Sequence, residues 1–422
     1  MKRLVVFVAL LLLTTLVSSV SAQDPVELRI TWYDDGNEGV VLRDLLDRFE
    51  AENPGITVVV DTVAFNTILE QLPLQVEAGE GPDMARVTAL TNAVYRENYL
   101  DLRPYLADAA YWEANFPALV LNAMRPDGNT DGIYGFPNQF TITGPYINRT
   151  LFDQAGIEVP TGDVDWATWT DLAQQVAVAT ETQYAVAIDR SGHRVAGPAI
   201  SNGAVYFDAD GNLTIDSEGF RATAEVIKGW HDNALTPSEV WLGAGGSYAA
   251  AADFFINGQL VLYMAGSWQV GRFSADIGDT FDWQAIPNPT GVGGSTGMPG
   301  GSAFVAFAST EHPEEVARVM DFLVQEDVYR EFTARTLFIP GHTGLGEIEY
   351  QTDSELARAA LNSFGVQVPN IADMAYQLNF HPLNTVIFNE TRDRLTQWMI
   401  GELTLDEAVA RIQQAYDEAS AS

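Results

Sequence analysis

The segment from Asp131 to Gly156, DGIYGFPNQFTITGPYINRTLFDQAG, constrains the fold of this chain more than any other stretch. Two glycines permit a tight backbone approach, and Pro137 stiffens the chain. Polar residues then occur at intervals along an otherwise apolar strand. Asn148 or Thr150 can cap a short helix, and Gly156 suits the left-handed position that ends one. The pattern fits an ordinary turn, strand and helix of an α/β domain, or a crossing between two lobes.

The residues after position 27 predict a β-α-β unit. Leu28, Ile30 and Trp32 alternate with more polar residues, as in a strand, and the apolar residues between positions 42 and 49 lie on one helical face. A Pro-Gly turn then precedes the apolar run Ile56 to Val60. A right-handed crossover places the residues after Trp32 at the carboxyl end of the first strand, where open α/β sheets bind ligands.

Later parts of the chain predict further helices and a second crossing. Pro313 suits the first position of one helix, and Thr404 with Glu407 forms a capping box for the last one. The Gly- and Pro-rich stretch 287–301 predicts little regular structure and a plausible second crossing. Other helices are predicted over residues 68–78, 168–180 and 220–232.

Residues 1–22 have the composition of a signal peptide. Lys2 and Arg3 precede the apolar run Leu4 to Leu13, and small residues end at Ala22, the expected cleavage site. A retained membrane anchor is the alternative, but this apolar run is short for a membrane span. The chain has no cysteine, so we expect neither a disulfide nor a lipid-modified N-terminal cysteine. These features predict a secreted protein, periplasmic or extracellular, that is not a lipoprotein.

The charge of the chain restricts its partners. A formal net charge of -35 argues against nucleic acid and against anionic membrane surfaces, because both need clustered cations. With 422 residues, 47% of them hydrophobic, the chain can form a large core, which favours a division over two domains.

Five motifs, in order along the chain, resemble those of family 1 extracellular solute-binding proteins, the maltose-binding-protein-like sugar receptors of ABC importers. The resemblance covers nearly all of the chain after residue 22. It departs from the family at TWYDD, where a histidine or asparagine more often follows the tryptophan. The motifs are LRITWYDDGNEG at 28–39, AGEGPDMARV at 78–87, YGFP with YINRTLFDQAGI within 134–157, FINGQLVLYMAGSWQV at 255–270 and GGSAFVAF at 300–307.

The resemblance implies an α/β fold of the type II-like Venus-flytrap kind, with two discontinuous lobes joined by hinge crossings. One lobe would comprise residues 23–136 plus 286–338, and the other residues 137–285 plus 339–422. The implied function is that of a periplasmic receptor, which closes on a mono- or oligosaccharide and delivers it to an ABC permease. Such a receptor acts as a monomer without enzymatic activity, cofactor or metal.

Candidate ligand contacts come from the end of the first strand, the crossings and the second lobe. In family members an aromatic residue commonly stacks on a sugar ring at the position of Trp268. Asp34 or Asp35 would accept hydrogen bonds from hydroxyls, and Arg86 would donate them. The full candidate set is Tyr33, Asp34, Asp35, Asn37, Arg86, Thr88, Asn138, Gln139, Trp241, Trp268, Gly301 and Ser302.

Other functions remain open from the residues alone. Residues 293–297 spell G-x-S-x-G, but prolines flank them and no helix follows, which argues against a hydrolase elbow. Adjacent carboxylates such as Asp34 and Asp35 could serve a glycosidase, so a secreted hydrolase of esters or glycosides is one alternative. The others are a chemosensory receptor and a binding protein for polyamine, phosphate ester or iron. The five histidines lie far apart in sequence, which argues against a metal site.

Overall fold

We describe a computed structural model that covers residues 25–88, 91–126, 128–243 and 247–421. The predicted signal peptide, residues 1–22, lies outside the described residues. Across these four ranges, no helix combines the length and apolar character that a membrane crossing requires.

The strands form one mixed sheet and a small hairpin. The sheet has the order β2-β1-β3-β10-β4-β6-β5, with β7 paired to β4, and the hairpin consists of β8 and β9. The strands are β1 Val26–Trp32, β2 Ile56–Thr62, β3 Met84–Thr88, β4 Gly135–Asn148, β5 Tyr184–Ile188, β6 Leu260–Gly266, β7 Trp283–Ala285, β8 Thr290–Gly291, β9 Gly294–Ser295 and β10 Pro299–Ala306.

The long strand β4 links the two halves of the sheet. Its first half, from Gly135 to Ile142, pairs antiparallel with β10, and its second half, from Thr143, pairs antiparallel with β6 and then β7. Strands β1, β2 and β3 run parallel to one another in the first half, and β5 runs parallel to β6 in the second. The segment singled out from the sequence is therefore a continuous strand through the middle of the molecule.

Helices cover both halves of the sheet. They are α1 Glu38–Glu52, α2 Phe65–Glu70, α3 Leu72–Glu77, α4 Asn92–Tyr95, α5 Ala109–Asn115, α6 Ala118–Ala123, α7 Arg149–Ala155, α8 Trp166–Thr180, α9 Gly192–Ser201, α10 Glu218–Asp232, α11 Ser238–Leu242, α12 Ala252–Ile256, α13 Gln269–Asp276, α14 Pro313–Leu323, α15 Glu326–Thr336, α16 Glu355–Gln367, α17 Asp373–Asn379, α18 Asn384–Met399 and α19 Leu405–Ser420, with 3-10 turns at Arg96–Asn98 and Val368–Asn370.

Buried apolar residues form two separate clusters. The first core draws on residues 28–136 and 303–345, and the second on residues 142–298, Leu337 and residues 357–416. Ile286 and Met298 belong to the second core, whereas the resemblance assigns the segment from 286 onward to the first lobe. The chain passes between the cores within β4, at the start of β10 and near Leu337.

Most predicted helix ends are confirmed. Asn148 accepts a hydrogen bond from the Leu151 N–H at the start of α7, and Gly156 ends that helix with φ of 68°. Thr404 and Glu407 form the capping box of α19, and Pro313 begins α14.

Two predicted segments differ from the structure. The helix predicted over 68–78 is divided into α2 and α3, because Pro73 lies in the first turn of α3 and has no N–H to continue α2. The Gly and Pro content of the stretch 287–301 predicts little regular structure. Instead the stretch contains the β8-β9 hairpin and the start of β10.

Candidate functional site

The turn between β1 and α1 forms one wall of the site. Trp32 Nε1 and the Gly39 N–H both donate to Asp34 Oδ1, at 3.0 and 2.7 Å, which holds this carboxylate at the N-terminus of α1. The partial positive charge of a helix N-terminus favours anions there. Glu38 folds back over the same turn and accepts from the N–H groups of Asp35 and Gly36. This wall therefore presents carboxylates in a fixed orientation.

Arg86 lies completely buried behind this wall, at the middle of β3. Its Nη1 donates to Glu38 Oε1 and to the Tyr33 carbonyl oxygen, each at 2.6 Å. Its Nη2 donates to Asp35 Oδ2 at 2.9 Å and to Gln139 Oε1 at 2.8 Å, and its Nε donates to Ser302 Oγ at 3.1 Å. A guanidinium has five N–H donors, so every donor of Arg86 is used within the protein.

Two carboxyl groups of the turn, those of Asp34 and Asp35, have raised pKa values. Burial raises the pKa of Asp35 to about 6, against the opposing attraction of Arg86, and the nearby Glu38 carboxylate adds to the rise. Burial, followed by repulsion from Glu38, also raises the pKa of Asp34. With a pKa of about 6, Asp35 is predominantly ionised at pH 7, and a carboxylate oxygen can accept hydrogen bonds from a ligand.

The two central strands form the floor. Gln139 and Thr141 project from β4 on the same side, as alternate residues of a strand do. Gly301 of β10 has φ of 143°, and a Cβ at this position would lie 2.2 Å from the Gln139 carbonyl oxygen. Only glycine fits this close approach, so the floor is built on tightly packed backbone.

The opposite wall comes from the carboxyl ends of β5 and β6. These strands are parallel neighbours, so the residues that follow them, including Arg194 after β5 and Trp268 after β6, meet at one edge of the sheet. Arg194 Cζ lies 4.1 Å from the centroid of the Trp268 ring, within the range of a cation–π interaction.

His193 orients Arg194. Because arginine can only donate, the contact of 2.7 Å from Arg194 Nη1 to His193 Nδ1 makes Nδ1 an acceptor. The proton of His193 is then on Nε2, which donates to the Pro299 carbonyl oxygen at 3.1 Å. Burial, and next the charge of Arg194, lower the pKa of His193 to about 3, so this ring stays neutral at physiological pH.

Asp189 holds residues of the same wall in place through hydrogen bonds. Its completely buried carboxylate accepts from the hydroxyls of Tyr248 and Tyr263, at 2.5 and 2.6 Å, and from the Ala251 N–H at 3.0 Å. Arg194 Nε lies 3.6 Å from the same carboxylate. Tyr248, Arg194 and Trp268 are therefore held in one arrangement.

These walls and the floor enclose a cavity of about 680 Å³ between the two cores. Its size falls within the usual range for small-molecule sites. The lining residues are Tyr33, Asp34, Asp35, Gly36, Asn37, Phe65, Thr88, Gln139, Thr141, His193, Arg194, Tyr248, Ala250, Trp268, Gln269, Gly271, Arg272, Ser274, Ala275, Asp276, Gly300, Gly301, Arg335, Leu337, Gln351, Thr352 and Asn379.

The structure brings most of the candidate residues together at this cavity. The lining includes Tyr33, Asp34, Asp35, Asn37, Thr88, Gln139, Trp268 and Gly301. Four other candidates, Arg86, Ser302, Asn138 and Trp241, lie outside the lining.

Each of these four has a structural reason for its position. Arg86 and Ser302 belong to the buried network beneath the wall and the floor. Asn138 precedes Gln139 in a strand, so its side chain points to the opposite face, where it adjoins Trp32 and the first core. Trp241 is 1% exposed in the second core, and its Nε1 donates to the Ile188 carbonyl oxygen at 2.9 Å.

Many lining residues are not among the candidates, and four of them, His193, Arg194, Phe65 and Tyr248, carry groups that the site uses. His193 and Arg194 follow β5, and Phe65 follows β2, so the rule that places ligands at strand carboxyl ends would have found them. Tyr248 follows a glycine-rich stretch, which gives only a weak signal for a cavity residue.

The G-x-S-x-G sequence does not form a hydrolase elbow. Ser295 lies in β9 of the small hairpin, and its Oγ donates to the Asn288 carbonyl oxygen at 2.6 Å. The element that follows is β10, whereas a nucleophile elbow leads from a strand into a helix.

Known proteins resemble this chain in sequence and in fold. The chain is 25% identical over 368 residues to a Brucella abortus (strain 2308) protein described as a binding protein, covering 83% of this chain and 84% of that one. It is 25% identical over 303 residues to the arabinooligosaccharide-binding protein of Halalkalibacterium halodurans, covering 70% and 66%.

Two solved structures share the fold over almost their whole length. An ABC substrate-binding protein from Listeria monocytogenes, in complex with cycloalternan, has a TM-score of 0.79 at 19% identity and covers 94% of this chain and 100% of its own. Maltose-bound MalE3 of T. maritima has a TM-score of 0.75 at 18% identity, covering 93% and 100%. The fold is thus the two-lobed α/β fold of these binding proteins. The sequence model of the bacterial extracellular solute-binding proteins matches residues 44–358, more than half of the chain, and the chain belongs to this family.

Proposed function

We propose that this protein is the substrate-binding component of an ABC importer and that it binds a mono- or oligosaccharide between its two lobes. The observation that carries the proposal is the composition of the cavity, where aromatic rings, carboxylates, amides and arginine face one space of about 680 Å³. A sugar has an apolar C–H face and a rim of hydroxyls, so its recognition needs this mixture of groups. The names of relatives that bind arabinooligosaccharide, cycloalternan and maltose support the same ligand class.

The lobes would follow the two cores, close to residues 25–138 plus 299–345 and residues 139–298 plus 346–421, with the hinge in β4 and β10. Asp35 lines the cavity on the side of the first core, and Arg194 and Trp268 line it on the side of the second. A sugar that binds both sides at once would have a higher affinity for the closed form than for an open one. Closure would then follow from this difference in affinity, and a permease would recognise the closed form.

Export would use residues 1–22 as a cleaved signal peptide and would release a monomer without a lipid anchor. The composition of the N-terminus supports this part of the proposal. The intact mass of the protein from the culture medium or the periplasm of its own organism tests it. A mature chain that begins at Gln23 is expected, and a chain that retains residues 1–22, or that carries an added lipid mass, would contradict it.

Thermal unfolding with a set of sugars tests the ligand class. We expect one or more of glucose, galactose, xylose, arabinose, maltose, maltotriose, cellobiose and arabinobiose to raise the unfolding temperature. At a hundredfold excess over Kd, binding to the native state adds about 2.7 kcal/mol of stability. A rise with phosphate, spermidine or Fe(III) and with none of the sugars would contradict the proposal.

Incubation with chromogenic esters and glycosides separates a receptor from a hydrolase. The proposal expects no release of chromophore above that of a sample without protein. Ester cleavage that disappears in Ser295→Ala, or glycoside cleavage that disappears in Asp34→Asn or Asp35→Asn, would establish a hydrolase.

A further inference from the structure

Arginine packs closely against a face of two of the aromatic rings that line the cavity, whereas Arg194 Cζ lies farther, 6.0 Å, from the centroid of the Tyr248 ring. Arg86 Cζ lies 4.1 Å from the Tyr33 ring centroid, and Arg194 Cζ lies 4.1 Å from that of Trp268. Tyr33 is only 4% exposed and Trp268 only 8%. Little ring surface of either residue is therefore open to a ligand.

The remaining two aromatic residues of the lining are Phe65 and Tyr248, and both are only partly buried. Their ring centroids lie 5.3 Å apart at an interplanar angle of 83°, so the two rings meet edge to face and form a corner. Phe65 packs against the first core. Tyr248 is anchored to the second half of the molecule through its hydroxyl on Asp189. The corner is thus assembled from both sides of the cavity.

Hydrogen bonds between the same two segments hold the corner together. The N–H and the hydroxyl of Ser247 both donate to Glu70 Oε1, at 2.6 and 2.9 Å. Asn66 Nδ2 donates to the Tyr248 carbonyl oxygen at 3.2 Å. Separation of the two lobes would break these contacts, so the corner exists only when the lobes are together.

We propose that Phe65 and Tyr248 form the surface on which a sugar ring of the ligand packs, and that closure of the lobes completes this surface. The inference rests on the proposed function and assigns two residues to it. Two perpendicular rings can contact the C–H face and the edge of one pyranose at the same time. Because the corner needs both lobes, this contact contributes to the affinity of the closed form alone and so favours closure.

Titration calorimetry with the sugar that binds tightest among those named above tests the assignment. Phe65→Ala and Tyr248→Ala are each expected to weaken binding by at least about tenfold. Phe65→Leu, which keeps apolar volume without a ring face, is expected to weaken binding as well and serves if the alanine variant does not fold. Tyr248→Phe keeps the ring and loses the hydroxyl, and it is expected to lose less affinity than Tyr248→Ala.

Phe254→Ala is a matched control. Phe254 meets Tyr184 edge to face at 5.5 Å and 87°, and neither residue lines the cavity. This variant should keep the affinity of the wild-type protein. Wild-type affinity in folded Phe65→Leu and Tyr248→Ala would overturn the inference while the sugar-binding function stands. If the wild-type protein binds none of the sugars, both the function and the inference fail.

Discussion

Arg86 Nη1 lies 2.6 Å from Glu38 Oε1, and neither side chain is more than 1% exposed. Removal of one partner from such a pair leaves a buried charge without compensation, which typically costs about 3–5 kcal/mol. We therefore expect Arg86→Met to lower the free energy of unfolding by about this amount, as measured by urea unfolding at pH 7.

Arg149→Met is the control for this prediction. Arg149 pairs with Asp153 at 2.7 Å, but both side chains are largely exposed, so solvent screens the pair. The expected loss is below about 1 kcal/mol. Equal losses in the two variants would contradict the account of the Arg86 network.

His193 should make the native state sensitive to acid. In the unfolded chain this ring gains a proton as the pH falls through about 6.5, whereas burial lowers its pKa to about 3 in the native state. The unfolded state therefore binds more protons between these values, and stability is lost as the pH falls. At pH 5 the loss from this residue is about 2 kcal/mol.

The difference in unfolding free energy between the wild-type protein and His193→Gln isolates this contribution. We expect the unfolding free energy of the wild-type protein, relative to that of His193→Gln, to fall from pH 7 to pH 5. A difference that is constant over this range would show that His193 is not held neutral by its surroundings.

Asn138 and Gln139 should respond oppositely to substitution by leucine. Asn138 is 3% exposed, and neither of its amide atoms has a hydrogen-bond partner among the described residues. An unpaired buried amide costs about 1–3 kcal/mol, so Asn138→Leu should raise stability by up to this amount and leave sugar affinity unchanged.

Gln139→Leu is the matched variant on the cavity face. It removes an acceptor of Arg86 and a polar group of the floor, so we expect lower stability and a loss of sugar affinity. Calorimetry and urea unfolding measure both effects. Loss of affinity in Asn138→Leu alone would mean that the faces of β4 are reversed.

Substitution of Trp268 should change sugar affinity, whereas substitution of Trp241 should change stability. Trp268 lines the cavity and supports Arg194, so Trp268→Ala is expected to weaken sugar binding by more than about tenfold with a retained fold. Trp241 lies in the second core, so Trp241→Phe is expected to lower stability and to leave affinity unchanged. Titration calorimetry measures the change in affinity, and thermal unfolding measures the change in stability. Unchanged affinity in Trp268→Ala would remove that residue from the site.

Local signals in the sequence predicted much of the fold. The Thr404 capping box, the Asn148 cap and the left-handed Gly156 depend on interactions within a few residues, and the structure contains all three. The division of the helix predicted over 68–78 shows that apolar periodicity alone does not predict where a helix ends. The apolar spacing continues through this segment, but the missing N–H of Pro73 ends one helix and starts another.

The lining of the cavity could be predicted only in part, because the sequence shows which residues are polar and not which way they face. Asn138 and Gln139 are adjacent and similar in chemistry, and only the register of β4 with β10 decides that Gln139 reaches the cavity. Arg86 has the chemistry of a ligand donor, but its five donors are used by groups up to 216 residues away in sequence. Such long-range pairing has no local signal.

Titration calorimetry of the mature protein with the named sugars, and with phosphate, spermidine and Fe(III) for comparison, tests the central claim most directly. The account predicts saturable binding of at least one sugar with one site per chain, and binding that is weaker by more than about tenfold in Trp268→Ala. Binding of one of the three other solutes, with no heat from any sugar, would contradict it.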